Sequence, residues 1–324
     1  MQGELIERAA KLLEDGTINR VLGWAAGDFV YDITPTVFNS AEELKKNFVY
    51  NDFCGANLSK YLVEESQKEG KIAVFLKPCD TYSFNQLLTE HRIKRENVYI
   101  IGVECNGKVS AERLHSLGLF GITGIKMEGD NFTVSTVYGD KTVAVSEAED
   151  ERCKSCKSRK HVVYDELIGA EGEMLDSDRF DMVEKIEAMS PEERFAFWQG
   201  EFSRCIRCNA CRNVCPACTC ETCVFDNPKS GVQNKGAVND FEEKLFHIIR
   251  AYHVAGRCTD CGECSRVCPE HIPLHLLNRK YIHDMDRLYG PYQAGEEVGT
   301  MHPVLAYTEK NDAEASIVQE GGIR

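Results

Sequence analysis

Residues 205–216, CIRCNACRNVCP, set Cys205, Cys208, Cys211 and Cys215 in a C-x2-C-x2-C-x3-C-P run, and residues 258–269, CTDCGECSRVCP, repeat it with Cys258, Cys261, Cys264 and Cys268. Three thiolates at two-residue gaps let one loop wrap a 4Fe–4S cubane, and the fourth must come from elsewhere. In paired runs the cysteine before the proline ligates the other cluster. That rule assigns Cys205, Cys208, Cys211 and Cys268 to one centre, and Cys258, Cys261, Cys264 and Cys215 to a second. Pro216 and Pro269 turn the chain away from each ligand with a fixed φ and no N–H to satisfy. Zinc also accepts four thiolates, but its sites usually show two separated C-x2-C pairs, not duplicated three-plus-one runs.

A second constellation is less compact. Cys79 follows the apolar run KIAVFL, in KPCD, and Cys105 follows VYIIGV, in GVECNG. Both runs read as buried strands, alternating with helical stretches in AEELKKNF (capped by Ser40 and Glu43), LSKYLVEESQKEG and TYSFNQLLTEHRI. This alternation predicts an α/β domain with a parallel sheet, in which the carboxyl ends of strands face the ligand crevice. Cys79 and Cys105 should therefore face one pocket. Cys153 and Cys156, a C-x2-C pair after the sheet, can complete four thiolates for a third cluster. Zinc at these positions, or Cys79 and Cys105 as packed small residues, are the alternatives. FTVSTVYGDKTVAVS reads as a hairpin around Gly139-Asp140.

The stretch around the duplicated runs reads as helical. Ser190 and Glu193 form a capping box for SPEERFAFWQGEFSR, NDFEEKLFHIIRAYHVAGR has helical periodicity after Asn239-Asp240, and LHLLNRKYIHDMDRL follows Pro273. His253 and His271 flank ligands and are read as packed, outside the ligand set. Cys218, Cys220 and Cys223, in CPACTCETC, are compatible with a fourth centre, a substituted ligand or a partner contact; Cys54 reads as structural. The expected organisation is an α/β domain over 1–185, a mainly helical dicluster domain over 186–290 and a tail over 291–324, with TEKNDAEASIVQEGGIR polar and aperiodic.

The helical part resembles the α-helical dicluster ferredoxin modules of heterodisulfide reductase and of anaerobic dehydrogenases, most specifically in RAYHVAGRCTDCGECSRVCPEHIPL. The first part resembles the coenzyme F-420 hydrogenase/dehydrogenase beta subunit family, through TINRVLGWAAGD, SAEELKKN, KPCD, IIGVECNG, CKSC and YDELIG in order. That resemblance implies a flavin, FAD or FMN, beside a 4Fe–4S cluster ligated by Cys79, Cys105, Cys153 and Cys156. The chain lacks the glycine pair that several relatives carry near the start of the domain. No G-x-G-x-x-G or G-x4-G-K-S/T motif supplies another nucleotide site. Lys157 and Arg159, in the tract with Lys154 and Lys160, are the cofactor-binding candidates: they suit a flavin phosphate or the negative charge of a cluster, and equally a solvated basic loop.

A net charge of −14 over 324 residues speaks against nucleic acid and anionic membranes as partners, and sixteen cysteines at short gaps suit metal ligation in a reducing compartment better than disulfides. No run approaches the length of a membrane span and MQGELIERAAKLLEDG is charged throughout, so a soluble cytoplasmic protein is expected. The reading that follows is an electron-transfer subunit of an anaerobic complex of hydrogenase, formate dehydrogenase or heterodisulfide reductase type. The second reading is a self-contained flavin-dependent oxidoreductase acting on a deazaflavin or pyridine nucleotide, distinguished by bound flavin. A third, a cluster-bearing regulator, finds no basic stripe to support it.

Overall fold

The computed structural model describes residues 1–227, 229 and 240–306. A five-stranded sheet of order β2-β1-β3-β4-β8 organises the first half, with β1 Arg20–Ala26, β2 Ile33–Phe38, β3 Ile72–Leu76, β4 Val98–Val103 and β8 Glu166–Ile168. β1, β3, β4 and β8 run parallel, and β2 adds an antiparallel edge. Every residue of β3 is buried, as the unbroken apolar run KIAVFL requires of a central parallel strand. Helices Gln2–Glu14 and Ala41–Asn47 pack on each other, the second started by the Ser40 hydroxyl accepting from Glu43 N at 3.2 Å.

Two expectations about this half are corrected. LSKYLVEESQKEG is not one helix: Asn57 Oδ1 accepts from Ser59 N at 3.0 Å and opens a 3₁₀ turn, Leu58–Tyr61, followed by a single turn Leu62–Glu65. The hairpin turn falls earlier than Gly139-Asp140. Strand β6, Asn131–Thr136, meets β7, Gly139–Ala144, across a loop of Val137 and Tyr138, and Gly139 takes φ +109° as the first residue of the returning strand. These two strands are joined by β5, Ile122–Glu128, in an antiparallel sheet of their own, beside the expected parallel one.

The second half is helical. Helices Pro191–Phe202, Asp240–Val254 and Leu274–Tyr289 enclose a core of Phe202, Phe225, Phe246, Ile272 and Leu274, with Cys211 and Cys264 buried among them. Asp181–Glu187 packs on Leu274–Tyr289, so a division at residue 185 would fall inside a helix of the second half. Residues 291–306 are no tail: Gly299 N donates to Thr89 Oγ1 at 2.9 Å, and Asn85 Nδ2 to Glu296 O at 3.4 Å, folding the chain back onto helix Pro78–Thr89. The expected tail from Thr308 and the Asn239 cap lie outside the described residues.

The halves are joined by buried polar contacts. Arg152 donates to Glu263 and, at 2.8 Å, to Gly55 O; Arg279 reaches Asp260 at 2.9 Å and Ser155 Oγ at 2.8 Å; Arg257 pairs with Glu90. The Arg152 and Glu263 side chains are 7% and 0% exposed, so this pair is isolated from water.

Candidate metal centres

Helix Pro78–Thr89 starts directly after β3 and carries Cys79 in its first turn. That turn is fixed by Lys77, whose Nζ donates to Asp80 Oδ2 and to Ala56 O, each at 2.7 Å, and sits 4.8 Å over the Trp24 ring. Burial opposes the Lys77 charge and Asp80 outweighs it, so its pKa lies above the ordinary lysine value. Cys105 follows β4, and Cys153 and Cys156 close the short Glu151–Lys154 helix and its exit. All four thiols line one cavity with about 580 Å³ of atom-free space, together with Lys77, Arg152, Lys157 and Arg159. Burial pushes the thiols of Cys79 and Cys153 well above their ordinary range, and that of Cys156 up. Lys157, lowered by burial to about 8, donates its amine to Thr259 O and lies 4.1 Å over the Tyr82 ring.

The duplicated runs share one backbone. Arg207 and Asp260, each two residues after the first cysteine, both have φ 55°; Asn209 (φ 62°) and Gly262 (φ 68°) stand at the next matched position and cap the one-turn helices Ala210–Asn213 and Glu263–Arg266. These left-handed residues curl each loop so that backbone N–H groups face sulfur: Arg207 N–H toward Cys205, Asp260 N–H toward Cys258 and Glu263 N–H toward Cys261. Gly262 has a second reason to be glycine, since a Cβ there would lie 2.5 Å from Arg152 Cβ.

Cys205, Cys208, Cys211 and Cys268 line one cavity of about 330 Å³, and Cys215, Cys258, Cys261 and Cys264 another of about 290 Å³. The structure thus brings together each of the three sets of four that spacing put forward. Burial raises Cys211 and Cys264 to about 11 and Cys261 to about 12. Such thiols give up their protons to a metal, not to water at neutral pH. Soft sulfur donors, inward N–H groups and buried cations fit an anionic iron–sulfur cluster. Among the described residues no three His, Cys, Asp or Glu side chains close on a single metal ion.

Two features escape sequence reading. His247 Nε2 lies 3.3 Å from Cys205 Sγ, with the ring stacked on Phe202; burial, then Arg250 and Arg207, lower its pKa to about 3, so it is a neutral hydrogen-bond partner of the sulfur. Arg250 is 2% exposed and donates to Cys211 O at 3.1 Å. Burial works against its charge, but Cys264, Cys211, Cys215 and Cys218 outweigh it and raise its pKa. Both sit on the buried face of Asp240–Val254, a periodicity signal that marks packing and does not announce contact with sulfur. The flanking histidines, in contrast, are not packed: His253 is exposed, and His271 pairs with Glu112 at 2.6 Å. Cys54 is buried away from the three cavities.

An α/β half with a thiol-lined crevice, joined to a helical half with two more, defines a multi-centre iron–sulfur protein. Residues 69–166 match the C terminus of the coenzyme F420 hydrogenase/dehydrogenase beta subunit and residues 201–272 the 4Fe-4S dicluster domain, so the chain carries a region similar to each. It is 24% identical over 86% of its length to the F420-dependent formate dehydrogenase subunit beta of Methanocaldococcus jannaschii, covering 88% of that protein. It is 26% identical over 75% of its length to subunit beta of F420-dependent formate dehydrogenase 1 of Methanococcus maripaludis, covering 78% of it. A putative ferredoxin-3 of Sinorhizobium fredii is 30% identical over 22% of this chain and 70% of its own length. A chain of the F420-reducing NiFe hydrogenase complex from Methanosarcina barkeri aligns over 58% of this chain and 76% of its own with 16% identity, at a TM-score of 0.39, too low to carry an argument. No described helix is long and apolar enough to cross a membrane.

Proposed function

We propose that this chain is the iron–sulfur electron-transfer subunit of a cytoplasmic, multisubunit anaerobic oxidoreductase, most directly one of formate dehydrogenase type, with a hydrogenase or heterodisulfide reductase partner as the related alternatives. The observation that carries the reading is a shared wall: Asp260 and Cys261 line both the N-terminal four-thiol cavity and the Cys215, Cys258, Cys261, Cys264 cavity. Clusters held there supply one-electron transfer without bond making. In this reading Cys79, Cys105, Cys153 and Cys156 hold one cluster, Cys215, Cys258, Cys261 and Cys264 the middle one, and Cys205, Cys208, Cys211 and Cys268 the far one. Arg152 and Lys157, by bonding to Glu263 and Thr259 O, and Arg279, by bonding to Ser155 Oγ as well as Asp260, fix the first two sets relative to each other. The order is therefore built into one rigid seam.

The family implies a flavin, FAD or FMN, at the N-terminal end, whose chemistry is to divide a hydride equivalent into single electrons. Lys157 spends its amine on Thr259 O. We assign Lys157 and Arg159, both on the N-terminal cavity wall, to balancing cluster charge in place of phosphate binding. Selection of the substrate falls to a partner subunit.

The test uses the full chain, because Arg152 and Lys157 are buried against the second half. Cys79→Ala, prepared anaerobically, should lose about four iron atoms while both dicluster signals persist in redox-titrated EPR, and Cys208→Ser and Cys261→Ser should each remove a different signal. Full iron content in Cys79→Ala would remove the N-terminal centre, and loss of one common signal from the other two would remove the two-centre assignment.

A further inference from the structure

Three thiols remain. Cys218, Cys220 and Cys223 line none of the three cavities described above, and all three line a fourth, together with Lys60, Arg212, Arg250 and Arg257. They come from one short irregular stretch, as do the ligands in each duplicated run. The stretch is pinned at several points. Cys218 N donates to Cys215 O at 3.1 Å, Lys60 reaches across from the first half to donate to Cys218 O, and Asp226 N and Asn227 N donate to Cys223 O at 2.9 and 3.1 Å. Phe225, buried against Phe246 with ring centroids 4.8 Å apart, anchors its far end.

The charge around the thiols has a sign. Four cations line the cavity; Arg212 is paired with Asp226 at 2.7 Å and Arg257 with Glu90, which leaves Lys60 and Arg250 against Glu221. Arg250, 2% exposed, keeps an unpartnered Nε on this wall. Soft donors inside a cationic wall select a soft, anionic occupant. The atom-free space, about 1420 Å³, is several times that of the dicluster cavities and opens to solvent beside the exposed Cys220. Hence the occupant has one free face.

We propose that Cys218, Cys220 and Cys223 ligate a fourth iron–sulfur centre, a 4Fe–4S cubane held by three thiolates, with its fourth iron facing the open side and taking a non-cysteine ligand. A single zinc ion is the competing occupant of three thiols. Zinc would bring no sulfide and a single metal ion, and the cavity that the three thiols line has room for the larger occupant. Placed beside Cys215, the centre branches from the middle of the route and gives it a solvent-facing terminus. The iron count below uses the three-centre reading; the loss it measures does not.

The experiment compares the anaerobically reconstituted full chain with a Cys218→Ala/Cys220→Ala/Cys223→Ala variant and with Cys220→Ala alone, by iron, acid-labile sulfide and zinc content, Mössbauer spectroscopy and EPR. The wild type should hold about sixteen irons, and the triple variant should lose about four irons and four sulfides while the signals removed by Cys208→Ser and Cys261→Ser remain. Cys220→Ala, which alters only an exposed thiol, should lose or convert the same component. About twelve irons in both wild type and triple variant would overturn the proposal, as would loss of about one zinc with no loss of iron. Should Cys79→Ala lose no iron, the N-terminal centre fails, and the triple-variant difference still decides this one.

Discussion

Arg250→Gln removes one buried positive charge from among the thiols of both dicluster cavities while keeping a hydrogen-bond donor near Cys211 O. A guanidinium bonded to a ligand's own carbonyl stands on the order of 6 Å from the centre; at an effective dielectric constant of ~20 a unit charge there contributes about 2.8 kcal/mol to each added electron. With ~59 mV per 1.36 kcal/mol for a one-electron couple, that is about 120 mV, and relaxation of neighbouring dipoles reduces it to roughly 60–120 mV. The loss of positive charge disfavours the reduced state, so the potential must fall. Redox-titrated EPR of the variant should show at least one dicluster signal moved down by this amount, with iron content unchanged. Both potentials within ~20 mV of the wild type, in a variant with full iron, would refute the claim that Arg250 is the counter-charge of these sites.

Glu263→Gln leaves Arg152 with only Asp150 as a charged partner at 3.3 Å and turns one of the two acceptors facing Arg152 and Arg266 into a donor; a destabilisation of about 3 kcal/mol, read from the anaerobic urea midpoint, is expected, and a midpoint equal to wild type would count against a buried inter-half clamp. His247→Phe keeps the stack on Phe202 but loses the partner of Cys205 Sγ, so one dicluster potential should fall by about 40 mV with no pH dependence in that shift between pH 6 and 9. His275, lowered mainly by burial to about 4, stays neutral in the folded chain while the unfolded chain protonates near 6.5, so its contribution is complete above pH 6.5 and is lost as pH falls toward 4. That loss is roughly 3 kcal/mol, and His275→Gln should flatten the difference in unfolding midpoint between pH 7.5 and pH 5.

Local signals carried much of this structure. The apolar runs of β3 and β4, the Ser40 cap and the capping box at Ser190 stand where their residues indicate, because each rests on neighbours within a few positions; at Ser40 the box is not closed, since Glu43 accepts from Asn39 N. Strand β8 was not legible: its three residues pair with Ile101, Gly102 and Val103, and Asp165 Oδ2 accepts from Ile100 N, all contacts with distant sequence. The two dicluster sets were legible from spacing, since one loop supplies three ligands, and the third from two cysteines at strand ends beside a C-x2-C pair. Their surroundings were not. Arg152 and Arg279 look like ordinary surface cations in sequence, Lys157 stood out only as part of a basic tract, and only the packing of one half on the other buries all three beside the cavities. His247 was hidden for the opposite reason: on an amphipathic helix its position reads as core, and core it is, with a sulfur as neighbour.

The left-handed residues of the duplicated runs bear on how the protein is made. Arg207, Asn209 and Asp260 carry side chains at φ values of 55°, 62° and 55° that cost roughly 1–2 kcal/mol apiece, and only Gly262 occupies its position without that cost. A bare chain has no reason to hold three such residues curled around empty space with buried, protonated thiols pointing inward. Cluster binding therefore supplies part of the free energy that holds these loops curled, and a chain without iron and sulfide is expected to be looser there, with its thiols within reach of whatever delivers the inorganic parts. Maturation acquires an order: a chain that has not received its cargo stays looser, is exposed to proteolysis, and cannot present a finished surface to the rest of its complex.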